Sequence, residues 1–298
     1  MMKPKICLTI AGLDPSGGAG IIADIKTFSA FGCFATAAVS SITFQNTTGV
    51  FGAVHQTAET IRGQVEPVLQ DFEIAAVKTG MLPTREVIGE TARLISENNL
   101  KNVVVDPVVR STSGFDLIDD TALSNLIEKL FPLSDVITPN IPEAERISGL
   151  AIRNTDDIEK AAEIMQSMGA ANVLIKGGHI LNADRELRNV DTTPGGNATV
   201  KEKVASKQKA IDYLFLGNEV HIFESEYIET NATHGTGCTL ASAIAANLAL
   251  GKNLTDAVGI SKKFVAEAIR TAPNLGHGHS PINIQIILRQ GKRLATGK

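Results

Sequence analysis

Ile6-Cys7-Leu8-Thr9-Ile10-Ala11 runs directly into Gly12-Leu13-Asp14-Pro15-Ser16-Gly17-Gly18-Ala19-Gly20, and that turn opens onto the helix-length stretch Ile21–Phe31. A short apolar run bounded by turn chemistry suits a strand buried on both faces of a parallel sheet. Glycines at a strand-to-helix turn let a backbone approach a ligand closely, and exposed helix N–H groups favour an anion or polar group. The spacing is neither GxGxxG nor the GxxxxGK[ST] of a Walker loop, so a tight turn with no ligand is the competing reading.

The same unit recurs along the chain. Ile74–Lys78, Asn102–Val105, Val136–Thr138 and Val173–Lys176 are further short apolar runs that end in polar or Gly/Pro chemistry. Between them, Arg85–Asn98, Asp119–Leu130 and Thr155–Met168 carry apolar residues at three- and four-residue spacing. Strand alternating with helix predicts a doubly wound α/β fold with a mostly parallel sheet. Two regions break the rhythm. Phe34–Phe44, rich in Ala, Val, Ser, Thr and Ile, predicts strands of a small accessory sheet, with lid elements near 34–50. Leu181–Lys209 turns polar, with Thr193-Pro194-Gly195-Gly196-Asn197 and then Lys201, Lys203, Lys207 and Lys209. It reads as a flap near 181–210 or as a plain solvated loop.

With 298 residues, 43% of them hydrophobic, the chain can bury a full core. Length alone accommodates two domains, but the alternation favours one domain over residues 1–285 with a lid, followed by a tail at 286–298. Lys+Arg 28 against Asp+Glu 32 gives −4, which argues against nucleic acid as a partner. The three cysteines, Cys7, Cys33 and Cys238, are odd in number and lack zinc-like spacing, which points to a reducing compartment without structural disulfides. Ile6–Ala11 is too short for a signal core, and Leu240–Leu250 falls far short of the roughly 20 apolar residues of a membrane span. We therefore expect a soluble, cytoplasmic protein with no membrane partner.

Thr233-His234-Gly235-Thr236-Gly237-Cys238-Thr239 precedes the Ala-rich helical stretch Leu240–Leu250. Small residues there leave the N–H groups of Gly235, Thr236, Gly237 and Cys238 free to converge as an anion nest at a helix start, with the helix dipole behind it. Such a nest stabilises charge on a transferred phosphoryl group. The dipole would also favour a Cys238 thiolate able to take a proton from an attacking hydroxyl. A small buried residue packing the helix is the other reading of Cys238.

Lys78, Asp106, Asn140 with Glu143, and Lys176 with Gly177-Gly178-His179 all fall at the predicted carboxyl ends of strands. Ligands bind at that edge of an open parallel sheet, so these residues converge if the fold is right. Asp106 and Glu143 are oxygen donors suited to Mg²⁺, and Lys176 suits phosphate. Each has a strand-end cap as its alternative. His277-Gly278-His279 reads better as a solvated loop than as a metal pair, because no third ligand is near in sequence. Neither GxSxG nor HExxH occurs.

Ala11-Gly12-x-Asp14-Pro15-Ser16-Gly17-Gly18-Ala19-Gly20, Ala23-Asp24-x-Lys26-Thr27-Phe28, Gln45-Asn46-Thr47, Lys78-x-Gly80-Met81-Leu82, Asp106-Pro107-Val108, Thr138-Pro139-Asn140-x-Pro142-Glu143-Ala144, Lys176-Gly177-Gly178-His179 and His234-Gly235-Thr236-Gly237-Cys238-Thr239-Leu240 occur in this order across the chain. Together they resemble the hydroxymethylpyrimidine/phosphomethylpyrimidine kinases, the thiamine-biosynthesis branch of the ribokinase-like superfamily. The resemblance implies a three-layer α/β/α sandwich with a small β lid, ATP and Mg²⁺ as co-substrate and metal, and a homodimer formed through the lid. It implies that Gln45 recognises the aminopyrimidine in a pocket lined by Gly12, Asp24, Met81 and Val108. Lys176, Asn140, Gly235 and Gly237 would serve ATP, and Glu143 and Asp106 the metal. Cys238 stands where ribokinases proper carry an aspartate base, with Gly235, Thr236 and Gly237 as its catalytic nest.

Two stretches depart from the family pattern, the long span His179–Asp212 and Arg110-Ser111-Thr112-Ser113-Gly114. The nearest competing activity is phosphorylation of pyridoxal or pyridoxine on the same fold. Gln45 favours an aminopyrimidine, because a side-chain amide pairs with both an amino group and a ring nitrogen. A silent ligand sensor on a kinase fold is the reading from another class.

Overall fold

The computed structural model describes residues 3–109, 117–177 and 208–285. The predicted flap up to residue 207, the stretch Arg110–Gly114, Gly178 with His179, and the tail at 286–298 lie outside the described residues. The elements follow as β1 (Ile6–Leu13), α1 (Gly20–Ala30), β2 (Phe34–Asn46), β3 (Gly49–His55), α2 (Ala58–Asp71), β4 (Ile74–Thr79), α3 (Arg85–Glu97), β5 (Val103–Val105) and α4 (Asp120–Leu130). They continue as β6 (Val136–Ile137), α5 (Ile141–Ser148), α6 (Thr155–Ser167), β7 (Asn172–Lys176), β8 (Lys209–Leu216), β9 (Glu219–Glu226), α7 (Thr236–Ala249) and α8 (Leu254–Arg270).

Among the described residues the strands form one nine-stranded sheet in the order β3-β2-β1-β4-β5-β6-β7-β8-β9. β2 through β7 run parallel, while β3, β8 and β9 are antiparallel additions at the two margins. The central strands are buried on both faces, which is why their sequences are short unbroken apolar runs rather than alternating ones. Ile61, Val65, Val87, Leu126, Ile147 and Met165 of helices α2 to α6 cover one face. Phe28, Leu240, Ile244 and Val258 of α1, α7 and α8 cover the other, which makes the three layers of an α/β/α sandwich.

Two expectations change. Phe34–Phe44 does not form a separate accessory sheet: β2 pairs with β1 along Phe34–Ile42 and continues past its end to pair with β3, so the lid is a hairpin grown from the main sheet. Lys209 and Ala210, placed in the flap on their polarity, begin β8, which pairs with β7. No helix among the described residues is long and apolar enough to cross a membrane.

Candidate active site

All five parallel strands from β1 to β7 end at one edge, and a cavity of about 960 Å³ opens there. The ladder delivers the side chains: Gly80 N donates to Ile10 O, Asp106 N to Thr79 O, Thr138 N to Val105 O and Lys176 N to Pro139 O. Following the strand order, the cavity wall carries Gly12, Gln45 and Met81, then Val108, Asp106 and Asn140, then Glu143 and Lys176. Beyond β7 it carries Asp212, Tyr227, Lys262 and Ile269, where Lys262 Nζ meets Asp212 at 2.6 Å. Gly235, Thr236, Gly237 and Cys238 close it from α7.

Asp24 is the exception among the expected pocket residues. It does not line the cavity; its carboxylate is fully buried, accepting from Thr9 Oγ1 at 2.7 Å and Ser242 Oγ at 2.7 Å and pairing with Lys78 Nζ at 3.0 Å. The Asp24 side chain can be buried there because Thr9, Ser242 and Lys78 all donate to its oxygens. Burial alone would pull the Lys78 ammonium down, but Asp24, Cys238 and Asp106 hold it above its ordinary range. Lys78 itself reaches the cavity wall, so Asp24 acts from behind it.

The first glycine-rich loop spends its amides on itself. Asp14 accepts from Ser16 N at 2.8 Å, Ser16 Oγ at 2.7 Å, Gly18 N at 3.2 Å and Ala19 N at 2.8 Å, so the expected exposed N–H groups before α1 are occupied by the loop's own carboxylate. Asp14 also meets His234 Nε2 at 2.7 Å. Burial would raise this carboxyl, but the bonds from His234, Ser16 and Gln45 outweigh it and hold Asp14 well below the usual carboxylate range.

The second loop is different. Gly235 is the N-cap of α7 at φ 83° and no side chain caps the helix. The left-handed backbone requires glycine, and a Cβ there would stand 1.8 Å from the Gly18 carbonyl oxygen. Of the four amides expected to converge, that of Thr236 is committed, donating to Thr233 O at 3.3 Å. Gly235, Thr236, Gly237 and Cys238 all line the cavity, so the positive end of the α7 dipole lies at its wall.

Lys176 Nζ lies 3.1 Å from Asp106 Oδ1 and 3.8 Å from Glu143 Oε2, and a side chain on Gly237 would begin 3.4 Å from it. Burial would depress Lys176, but Asp106 and Glu143 raise it above its ordinary value. Burial pushes the Glu143 carboxyl up to about 7, with Lys176 opposing and Asp106 adding to the rise. Asn140 and Glu143 form a capping box at the start of α5: Asn140 Oδ1 accepts from Glu143 N at 2.9 Å, and Glu143 Oε2 from Asn140 N at 2.8 Å. Burial also raises the Cys238 thiol, up to about 11, against the pull of Lys78. Burial therefore works against the thiolate that a helix start favours, at a Cys238 that is partly exposed on the first turn of α7.

The profile of the phosphomethylpyrimidine kinase family matches residues 14–283. The chain belongs to that family. It is 42% identical over 284 residues to hydroxymethylpyrimidine/phosphomethylpyrimidine kinase of Haemophilus influenzae, covering 95% of this chain and 97% of that one. It is 41% identical to the thiamine biosynthesis bifunctional protein of Geobacter sulfurreducens, where it covers 93% of this chain and 51% of the relative. The fold is similar to phosphomethylpyrimidine kinase from Clostridium difficile 630 (TM-score 0.71, 40% identity, 89% of this chain and 99% of that one). It is also similar to Bacillus subtilis pyridoxal kinase in its ADP complex (TM-score 0.81, 34% identity, 97% and 100%). The ribokinase-like α/β architecture expected from the sequence follows.

In this phosphomethylpyrimidine kinase family member the fold brings together every expected site residue except Asp24. Two residues at the centre of the hydrogen-bonding were missed as site residues. Asp14 lay inside the glycine-rich turn, and His234 had no visible partner, since their contact is 220 residues apart in sequence and closes only in three dimensions.

Proposed function

We propose that this kinase transfers the ATP γ-phosphoryl group to 4-amino-5-hydroxymethyl-2-methylpyrimidine and then phosphorylates the monophosphate to the diphosphate, for thiamine biosynthesis. The observation that supports this most directly is a single cavity carrying a Gln45 amide, an uncapped helix start and a buried Lys176. The names of the relatives agree with it. Use of ATP is supported by the family and by the kinase relatives solved with ADP or AMP-PCP.

Gln45, with Gly12, Met81 and Val108, holds the pyrimidine, the amide pairing with the amino group and a ring nitrogen. Lys176, Asn140 and the amides of Gly235 and Gly237 orient the phosphates and take up charge as the γ-phosphoryl group moves in line toward the hydroxymethyl oxygen. Such a transition state makes little demand on the base, which takes the proton late. Cys238 is that base in its minor thiolate form, where a high thiol pKa offsets low population with greater basicity. Asp106 and Glu143 fit a divalent ion. Both carboxylates line the cavity beside Lys176 Nζ, Asp106 at 3.1 Å and Glu143 at 3.8 Å. Such a site suits Mg²⁺, which keeps water and takes phosphate oxygens as ligands. When bound, Mg²⁺ would neutralise phosphate charge.

A homodimer through the β2–β3 hairpin is supported by its exposed Ile42, Phe44, Phe51 and Val54. A monomeric mass in solution would overturn the dimer. The activity is tested by turnover of hydroxymethylpyrimidine against pyridoxal, with Gln45→Ala alongside. Preference for the pyrimidine, falling by about tenfold or more in the variant, is expected. Dominant pyridoxal turnover insensitive to Gln45 would replace this reading with a pyridoxal kinase.

A further inference from the structure

The Asn46–Gly49 turn that follows Gln45 lies beyond the β1 pairing of β2, which ends at Ile42, and within itself is held by Thr48 donating to Asn46 Oδ1. β3 is the margin of the sheet and pairs only with β2 among the described residues, while Phe44 and Phe51 are 52% and 70% exposed. What grips the turn is a segment from the other end of the chain, 275–281. His277 N and Gly278 N donate to Thr47 Oγ1 at 3.2 and 3.4 Å, and His279 N donates to the Thr47 carbonyl at 2.8 Å. The two glycines of this segment are needed for the approach. A Cβ on Gly276, at φ 79°, would stand 2.2 Å from Thr47 Oγ1, and one on Gly278 would stand 2.1 Å from the Thr47 oxygen.

The same segment continues to the anion nest. The His279 ring lies 3.4 Å from Thr233 Oγ1, His234 N donates to Ser280 O at 3.2 Å, and His234 bridges Pro281. Ser280 is buried and its hydroxyl receives Leu275 N at 2.9 Å, which closes the segment on itself. His277 and His279 are exposed and belong to no group of three metal-ligating side chains among the described residues, so the histidine pair leaves the backbone as what this segment contributes.

We propose that Thr47 is a positioning residue for Gln45, and that the 275–281 segment clasps the hairpin turn so that the pyrimidine-recognising amide and the Thr233–Cys238 loop keep a fixed separation. Gln45 is two residues from Thr47 and sits at a register shift in the β2–β3 ladder, where the ladder alone does not fix its direction and its amide reaches Asp14 only from a correctly placed backbone. Residues on both sides of the transferred group are thereby registered by one piece of backbone, which is what in-line transfer requires. The inference rests on Gln45 binding a pyrimidine.

The test measures pyrimidine KM, kcat and affinity for a non-hydrolysable ATP analogue in the full chain. Thr47→Val keeps the shape and removes the acceptor; it should raise pyrimidine KM about tenfold, with nucleotide affinity unchanged. Thr47→Ser, which keeps the oxygen, should match the wild type. Gly278→Ala strikes the clasp from the other side and should raise the same constant. In a Gln45→Ala background, Thr47→Val should add less than about twofold, because the residue it positions is gone. A Thr47→Val KM within about twofold of wild type, or the same penalty with and without Gln45, would overturn the clasp. A wild-type chain that does not phosphorylate the pyrimidine would take down the functional reading as well, whereas normal wild-type turnover with a silent Thr47→Val removes this inference alone.

Discussion

The loop at 12–20 folds its amides around the Asp14 carboxylate, whereas the loop at 233–237 ends at a helix whose glycine N-cap offers no side chain to its own amides. Both are glycine-rich and both precede a helix, yet one carries its own anion and the other leaves its positive end to the cavity. The two are pinned together, Asp14 to His234 at 2.7 Å and Gly235 beneath the Gly18 carbonyl. A filled nest braced against an open one is a rigid frame for a transferred phosphoryl group, because the filled loop needs no ligand to hold its shape. Glycine content therefore marks where a backbone is crowded, and the nearest carboxylate decides whether that crowding serves a ligand.

Gly235→Ala strikes the contact between the two loops and carries the largest expected effect. A methyl group 1.8 Å from a carbonyl oxygen forces the open loop out of place, so turnover should fall by more than about a thousandfold in a steady-state assay. Wild-type-like turnover would show that the open nest has no part in transfer. Cys238→Ala keeps both glycine loops and removes the proposed base. Turnover should fall by about a hundredfold to a thousandfold while an ATP analogue still binds. The sign of the pH dependence follows from a thiol raised to about 11: the thiolate fraction grows as pH rises, so log kcat/KM should climb through neutral pH toward that value. A wild-type profile that is flat from neutral to alkaline pH would remove Cys238 as base.

Asp14→Asn unfills the first loop and is expected to act mainly on stability, lowering it by about 2 kcal/mol at neutral pH in chemical denaturation. The folded carboxyl is held below its unfolded value of about 3.9, so its contribution is complete above that pH and fades as pH falls further. The gap between variant and wild type should therefore narrow below about pH 4. A gap that widens on acidification would mean that the carboxylate is not what organises the loop.

Much of this could be read in advance. The central strands were legible because burial on both faces leaves no polar alternation to confuse them. Asn140-x-Pro142-Glu143 carried its own helix start, and Gly235-Thr236-Gly237 its uncapped one. What failed has common causes. Polarity placed Lys209 in a flap, although it starts β8 with an exposed side chain paired to Glu224 of β9, and Asp24 was taken for a pocket residue although the Thr9, Lys78 and Ser242 side chains enclose it. At Cys238 the helix start is visible in sequence order, while the burial that raises its thiol is not.

The sequence by itself determined the α/β alternation, the edge at which polar residues collect, and the family. These follow from local periodicity and from motifs a few residues long. Which loop is filled, that Asp24 lies behind Lys78, that burial raises the Cys238 thiol, and that the 275–281 segment grips Thr47 emerge only in three dimensions. Each of those depends on contacts between residues far apart in the chain, and burial, hydrogen-bond partners and pKa are properties of such contacts rather than of neighbours in sequence.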